Sequence, residues 1–189
     1  MNNLRSSVGM LLCLLSLQVL ATETIPVNQQ TTLGLYLKPA EAMALKQQLG
    51  AGLLFVDVRT RAEIAWVGAP TAMDANIPFV RGNYGEWDAK RSFFKMEPNE
   101  DFVKTVDTLA SQHQLRRDSP IVVMCRSGPR GALAANALAA AGYTRVYNLL
   151  DGFEGETADS GPESSHRVLN GWKNSGLPWT TVVDHKKLF

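Results

Sequence analysis

Two short, wholly apolar runs, Leu53-Leu54-Phe55-Val56 and Ile121-Val122-Val123-Met124, close directly on polar residues and constrain the fold more than anything else in the chain. Four apolar residues in a row, without alternation, describe a strand covered on both faces, and such strands belong to parallel sheets. The surrounding segments agree. Pro39 opens a helical pattern through Ala42, Met43, Leu45 and Leu49 that Gly50 ends, with proline at the start and glycine past the end. Residues 61–66 suit a short helix. Phe102, Val106, Leu109 and Ala110 fall on one helical face, predicting a helix to about Gln114 with Asn99 as its N-cap. Residues 131–141, rich in alanine and leucine, predict another helix that Gly142 ends, and residues 145–149 read as a third strand. Asn76-Ile77-Pro78-Phe79 suits a short extended segment, residues 81–98 a long surface loop, and residues 168–174 a short helix. Strands alternating with helices give an α/β fold, a mainly parallel central sheet with helices on both faces.

The first 21 residues stand apart from this pattern. A polar stretch with one positive charge, Arg5, precedes an uncharged apolar run at 8–20, and Val19-Leu20-Ala21 offers a small-residue cleavage site. This is the layout of a secretory signal peptide. The run is about 13 residues, short of the ~20 that span a bilayer, so no stable membrane insertion is expected once it is removed. The expected location is periplasmic or secreted. Residues 22–31 read as a polar lead-in. The length of 189 residues suggests one domain, and the net charge of +1 supplies no broad field to attract nucleic acid.

Loss of the signal segment, which holds Cys13, leaves one cysteine, Cys125. It cannot form an internal disulfide, and an odd thiol in an oxidising compartment invites a functional explanation. Its setting supplies one. Ligands in open α/β sheets bind beyond the carboxyl ends of the strands, and Asp57, Arg59 and Cys125 all stand at such ends. The segment Cys125-Arg126-Ser127-Gly128-Pro129-Arg130 joins a buried strand to a helix N-terminus. A nucleophilic cysteine acts as a thiolate, which helix N-termini and nearby cations favour. Gly128 can adopt positive φ, Pro129 suits the first helical turn, and Ser127 can donate a hydrogen bond to sulfur. Arg126 and Arg130 suit a tetrahedral oxyanion. Asp57 and Arg59 read as a supporting ion pair. His113, His166 and His185 are scattered and there is no Cys-x-x-Cys, so no metal is expected. No glycine-rich phosphate loop is present, so no nucleotide cofactor is expected.

These segments resemble the rhodanese-like sulfurtransferase family. The stretch 122–155 is similar to its active-site loop, following helix and next strand. Residues 53–64, with Asp57, Arg59 and Glu63, resemble its earlier strand, and 171–179 its closing tail. The resemblance covers roughly residues 32–180, with 181–189 left as a C-terminal tail. Where the family often has His-Ile-Pro-Gly-Ala, this chain reads Asn76-Ile77-Pro78-Phe79-Val80, and its stretch 152–171 exceeds what a minimal domain needs. The resemblance implies a five-stranded sheet and a two-step transfer without cofactor. Cys125 takes sulfur from a small anionic donor such as thiosulfate and passes it to cyanide or a thiol, including a protein thiol. The alternatives are a non-enzymatic sulfur-carrier or interaction module and a Cys/Arg-loop phosphatase or arsenate reductase. Against the latter, four residues separate Cys125 from Arg130, one fewer than in the phosphatase relatives. The stretch 152–170 follows the third strand and is expected to form a mobile acidic rim near Cys125, carrying Glu154, Glu156, Asp159 and Glu163.

Overall fold

A computed structural model describes residues 24–189; the expected signal segment, residues 1–21, lies outside the described residues. The described residues form, in order, β1 (Tyr36–Leu37), α1 (Pro39–Leu49), β2 (Leu54–Asp57), α2 (Arg61–Val67), β3 (Ala69–Pro70), β4 (Ala75–Asn76), β5 (Val80–Asp88), β6 (Phe93–Pro98), α3 (Phe102–Gln112), β7 (Ile121–Met124), α4 (Pro129–Ala140), β8 (Val146–Leu149) and β9 (Trp179–Thr180), besides short 3-10 turns. Five of the strands form one parallel sheet in the order β1-β8-β7-β2-β4. The two apolar runs are its central pair, with Leu54 opposite Ile121 and Asp57 opposite Met124. Each is buried at every position.

Alternate residues of these strands feed two different cores. Leu54, Val56, Ile121 and Val123 pack with Phe102, Val106 and Leu109 of α3 and with Ala134, Ala135 and Leu138 of α4. Phe55, Val122 and Met124 face the other way, onto Ala42 of α1, Phe153 and Trp172. Phe55 and Trp172 meet with ring centroids 5.3 Å apart. Complete burial of a side chain such as Phe55 is worth about 1.5–3 kcal/mol, so this two-sided packing is what holds the ends of β2 and β7 level.

The structure departs from the sequence expectations in several places. Residues 81–98 are not a loop but an antiparallel hairpin, β5–β6. Its strands pair with each other and with no strand of the central sheet. Glycines and charges hid it, because a ribbon without a buried face has no apolar alternation to read. Asn99 does not cap α3: Asp101 occupies that position, while the Asn99 Nδ2 donates to the Pro78 carbonyl at 2.7 Å and its backbone N–H to Phe79 at 3.0 Å. Asn99 therefore pins the base of the hairpin. Residues 168–174 are not a helix; only a 3-10 turn forms, at Lys173–Ser175. Gly171 stands at φ +92°, and the Asn174 side chain donates to the carbonyls of Glu154, Arg167 and Asn170, so this segment is held by side chains in place of helical bonds.

Neither flank is a loose appendage. In the lead-in, Gln29 is buried, and the Thr32 N–H donates to Asn136 of α4 at 2.8 Å. At the other end, Val183 and Leu188 pack against Ile64, Ala69 and Met73, and the Phe189 N–H donates to the Asn76 carbonyl at 2.9 Å.

Candidate active site

Strand β7 delivers Cys125 to the carboxyl side of the sheet, and α4 begins four residues later. Gly128 stands at φ +106°, which turns its N–H back onto the Cys125 Sγ at 3.1 Å. Pro129, at the first helical position, needs no N–H of its own. The sulfur is covered: Cys125 is 1% exposed.

Two segments press on this turn. From the lead-in, Gln29 Nε2 donates to the Ser127 carbonyl at 3.2 Å, and a Cβ at Gly128 would lie 2.2 Å from the Gln29 Oε1. Gln29 is held in turn by Asn148, whose Nδ2 donates to its carbonyl at 3.2 Å. From the other side, the Phe153 N–H donates to the Cys125 carbonyl at 2.8 Å, and the Glu154 and Gly155 N–H groups share the Arg126 carbonyl at 2.9 and 3.2 Å. Gly152 allows that approach. A Cβ there would meet backbone atoms of Cys125, Arg126 and Ser127 at 2.5 Å, and its φ is +59°. Gly152→Ala is therefore expected to displace the cysteine loop and slow reaction at Cys125 at least tenfold. It should also cost about 1–3 kcal/mol, the range for backbone strain of this kind. Parallel urea denaturation and thiol-alkylation kinetics check both; wild-type values in each would show that the loop tolerates the methyl group.

The two arginines of the loop have different fates. Arg130 forms a two-pronged ion pair with Glu63, Nη1 to Oε2 at 2.8 Å and Nη2 to Oε1 at 2.7 Å. Glu63 also closes a capping box on α2: the Thr60 N–H donates to Oε2 at 2.8 Å and the Glu63 N–H to the Thr60 Oγ1 at 3.2 Å. Arg130 is thus tied to the start of α2 and is not left open to an anion. Arg126 is exposed, and no hydrogen bond or ion pair engages its guanidinium among the described residues.

Burial raises the Glu63 pKa, but hydrogen bonds and charge from Arg130, with the Thr60 contacts, overcome it and hold the carboxyl at about 2. A depressed carboxylate contributes stability above its unfolded value and loses it as pH falls through the folded one. The drop from 4.5 to about 2 corresponds to about 3 kcal/mol, lost on acidification across that window. Urea denaturation between pH 6 and pH 2 should therefore show a stability slope in wild type that Glu63→Gln flattens. Parallel slopes in the two proteins would show that the pair contributes nothing to folding.

Beneath the site, Asp57 and Arg59 are completely buried and paired, Nη2 to Oδ2 at 2.7 Å and Nε to Oδ1 at 3.0 Å. Arg59 also donates to the Gly68 carbonyl at 2.8 Å and lies 4.0 Å over the Phe153 ring. Asn76 adds bonds to the carbonyls of Asp57 and Arg59 at 2.9 and 2.7 Å. This pair braces the end of β2 and carries Phe153, whose N–H holds the Cys125 carbonyl.

The stretch 152–170 lies against the cysteine loop, and the expected loose rim is instead tied by hydrogen bonds. Ala158 exchanges bonds with His166 and Ser165, and the Glu156 N–H donates to Asn170 at 2.8 Å. Its acids are joined by one cation. Glu163 meets His166 on the exposed face, and Arg167 donates to the Gly155 carbonyl beside the site. Burial lowers the Arg167 pKa, as does the charge of Arg126, while Glu154 and Cys125 act to raise it. Arg167, Ser127, Pro129 and Gln29 share one cleft of about 420 Å³.

Residues 41–159 match the family model for the rhodanese-like domain. The chain belongs to the rhodanese-like family. The uncharacterized protein RP600 of Rickettsia prowazekii is 34% identical over 131 residues, 69% of this chain and 85% of that protein. The thiosulfate sulfurtransferase GlpE of Tolumonas auensis is 40% identical over 55 residues, 29% of this chain and 52% of its own. Among solved structures, Rv0390 from M. tuberculosis superposes with a TM-score of 0.54 at 29% identity, covering 78% of this chain and 99% of that one. The five-stranded parallel sheet with helices on both faces is therefore the rhodanese-like fold that the loop and strand motifs implied.

The structure brings the predicted residues Cys125 to Arg130 together in one turn, with Asp57 and Arg59 below. Gln29 and Arg167 carry no signal in the sequence, since each comes to the site from a segment with no motif. Glu63 does carry one beyond the family pattern: Thr60-x-x-Glu63 ahead of an apolar stretch is a capping-box signal.

Proposed function

We propose that this rhodanese-like domain is an exported sulfurtransferase that carries sulfur as a persulfide on Cys125. The observation that supports it most is the Cys125 thiol at the end of a central strand, receiving the Gly128 N–H under a loop braced from three sides. Cys125 attacks the outer sulfur of thiosulfate; the sulfur–sulfur bond breaks, sulfite leaves with the bonding pair, and the persulfide anion remains. A nucleophile such as cyanide then takes the outer sulfur, and the Cys125 thiolate is restored. The covalent intermediate divides one difficult transfer into two easier ones. The Gly128 N–H is placed to bear part of the negative charge without reorganising. Arg126, exposed and unpaired among the described residues, suits attraction of the donor anion, while Arg130 positions the loop through Glu63. Export rests on the apolar run at 8–20 and the small residues that follow it.

The test is intact-mass analysis of the mature protein after thiosulfate, polysulfide or a mercapto-acid, with sulfite release measured in parallel. Gain of one sulfur, lost again to cyanide as thiocyanate, is the expected result. No sulfur gained from any of the three donors would leave the interaction-module reading in its place. N-terminal sequencing of protein from the exported fraction should begin near Thr22; recovery of Met1 in the membrane fraction would overturn the export reading.

A further inference from the structure

The hairpin β5–β6 holds a group of aromatic side chains that the transfer chemistry does not use. Tyr84, Trp87 and Phe93 are 62%, 60% and 55% exposed, and Trp66 of α2 is 87% exposed. On the hairpin they interlock edge to face, with Phe94 centroids 5.3 Å from Tyr84 and 5.4 Å from Trp87. The shape is built in. A bulge between Asn83 and Trp87 is fixed by the Asn83 side chain, which bonds the Gly85 N–H, Glu86 and Glu97. The turn is closed by Asp88, which accepts from the N–H groups of Lys90 and Arg91.

Between this hairpin and α2 runs a groove of about 620 Å³ walled by Trp66, Val67, Tyr84, Phe93, Phe94 and Met96. Arg126 and Arg130, which flank the Cys125 turn, also line it, so the groove borders the candidate site. Its net charge is positive. Arg91, Arg126 and Arg130 line it with one acid, Glu63; Glu63 neutralises Arg130 and Asp88 pairs with Arg91 at 3.7 Å, so Arg126 is the uncompensated cation of the lining among the described residues. The adjoining cleft adds Arg61 and Arg81 with no acid among its lining residues.

We infer that this groove docks an acidic, apolar-bearing segment of a partner protein whose cysteine accepts the sulfur from Cys125. The inference rests on the sulfurtransferase reading above and names the acceptor class for it. The acceptor thiolate, its proton released to solvent, attacks the outer persulfide sulfur; the bond to the Cys125 sulfur breaks, and the acceptor leaves as a persulfide. Trp, Tyr, Phe, Met and Arg are the residue types enriched in protein interfaces, and aromatic and arginine anchors carry most of their binding energy. Trp66 on the groove wall and Trp87 on the hairpin are 87% and 60% exposed, more apolar surface than a small anion covers. A membrane surface fits less well. Arg126 and Arg130 line a recess between the hairpin and α2 and not a flat face, and Glu86, Asp88 and Glu97 interrupt the hairpin's basic residues, whereas anionic lipid selects uninterrupted basic clusters.

The test has two arms. In the first, a fluorescein-labelled peptide carrying Asp, Glu, Leu and Phe around one cysteine is titrated against Cys125→Ser, beside a twin with Lys in place of each acid. The acidic peptide should bind at least tenfold more tightly, and Trp66→Ser with Phe93→Ser should remove that preference. Both positions are exposed, so folding should survive; circular dichroism checks it. In the second arm, thiosulfate-loaded protein with wild-type Cys125 is discharged to the acidic peptide or to cyanide. The double aromatic variant should slow the peptide at least tenfold and leave cyanide unchanged. Failure to load sulfur would refute the sulfurtransferase reading while the first arm still judged the groove. Equal binding of the two peptides would overturn the inference. So would aromatic-dependent binding to phosphatidylglycerol vesicles in place of the peptide, or aromatic-dependent dimerisation in sedimentation.

Discussion

Replacing Cys125 with serine is expected to abolish sulfur transfer while leaving the fold in place. Turnover should fall by on the order of 10⁴ or more, as when a covalent nucleophile is removed from a preorganised site. No sulfur should appear in the intact mass after thiosulfate. Stability should change far less. Serine is slightly smaller, and its oxygen can accept the Gly128 N–H that Sγ accepts now, so the cost should stay within about 1–2 kcal/mol. The two measurements together separate loss of the nucleophile from loss of the fold. Residual turnover within tenfold of wild type would mean that sulfur travels by a route other than Cys125.

The largest effect on stability is expected at Asp57 and Arg59. Both side chains are completely buried, and the Arg59 Nη1 has no hydrogen-bond partner among the described residues, so its charge depends on Asp57. Asp57→Ala leaves an uncompensated cation between Gly68 and the Phe153 ring, and removing one partner of a buried pair costs about 3–5 kcal/mol. A domain of this size has about 5–15 kcal/mol in hand, so the variant should be close to unfolding at ordinary temperature. Replacing both residues with apolar ones, Asp57→Leu with Arg59→Met, should cost less than Asp57→Ala alone, because it removes the stranded charge as well. Urea denaturation of the three proteins reads this order directly. If the double variant proves the less stable, the pair is contributing more than its own desolvation.

Much of the architecture was legible because the informative segments are buried on both sides. Leu53 to Val56 and Ile121 to Met124 cannot satisfy their environment except as central parallel strands, and Cys125 follows from the second one without a gap. The cysteine loop was equally readable: Gly128, Pro129 and the two arginines each have a local physical reason for their place. The connections were not readable. Nothing in the composition of residues 24–31 shows that Gln29 will press on Gly128, because that contact depends on packing across 98 residues of sequence from Gln29 to Ser127. The hairpin was missed for the opposite reason. Its aromatic side chains pack on one another and on solvent, so its strands show neither a core face nor a clean period. Arg130 was expected to face an anion, but its partner lies in α2, and with Glu63 holding its fork the unpaired cation of the loop among the described residues is Arg126.

The outermost strands of the central sheet, β1 and β4, are two residues long, and the chain's last residues lie along β4 through the Asn76–Leu188 bridge. Unpaired backbone at a sheet edge is a template for joining another chain, and short or covered edges remove it. The long ladders of this protein are placed elsewhere, in a hairpin that is bulged at Asn83 to Trp87 and studded with Lys95, Glu86 and Glu97. Such a ribbon is a poor seed for edge-to-edge growth. The molecule can therefore display several aromatic rings to solvent with little exposure to aggregation through strand addition, and mutations that straighten the bulge should surrender that protection before they alter the chemistry at the thiol.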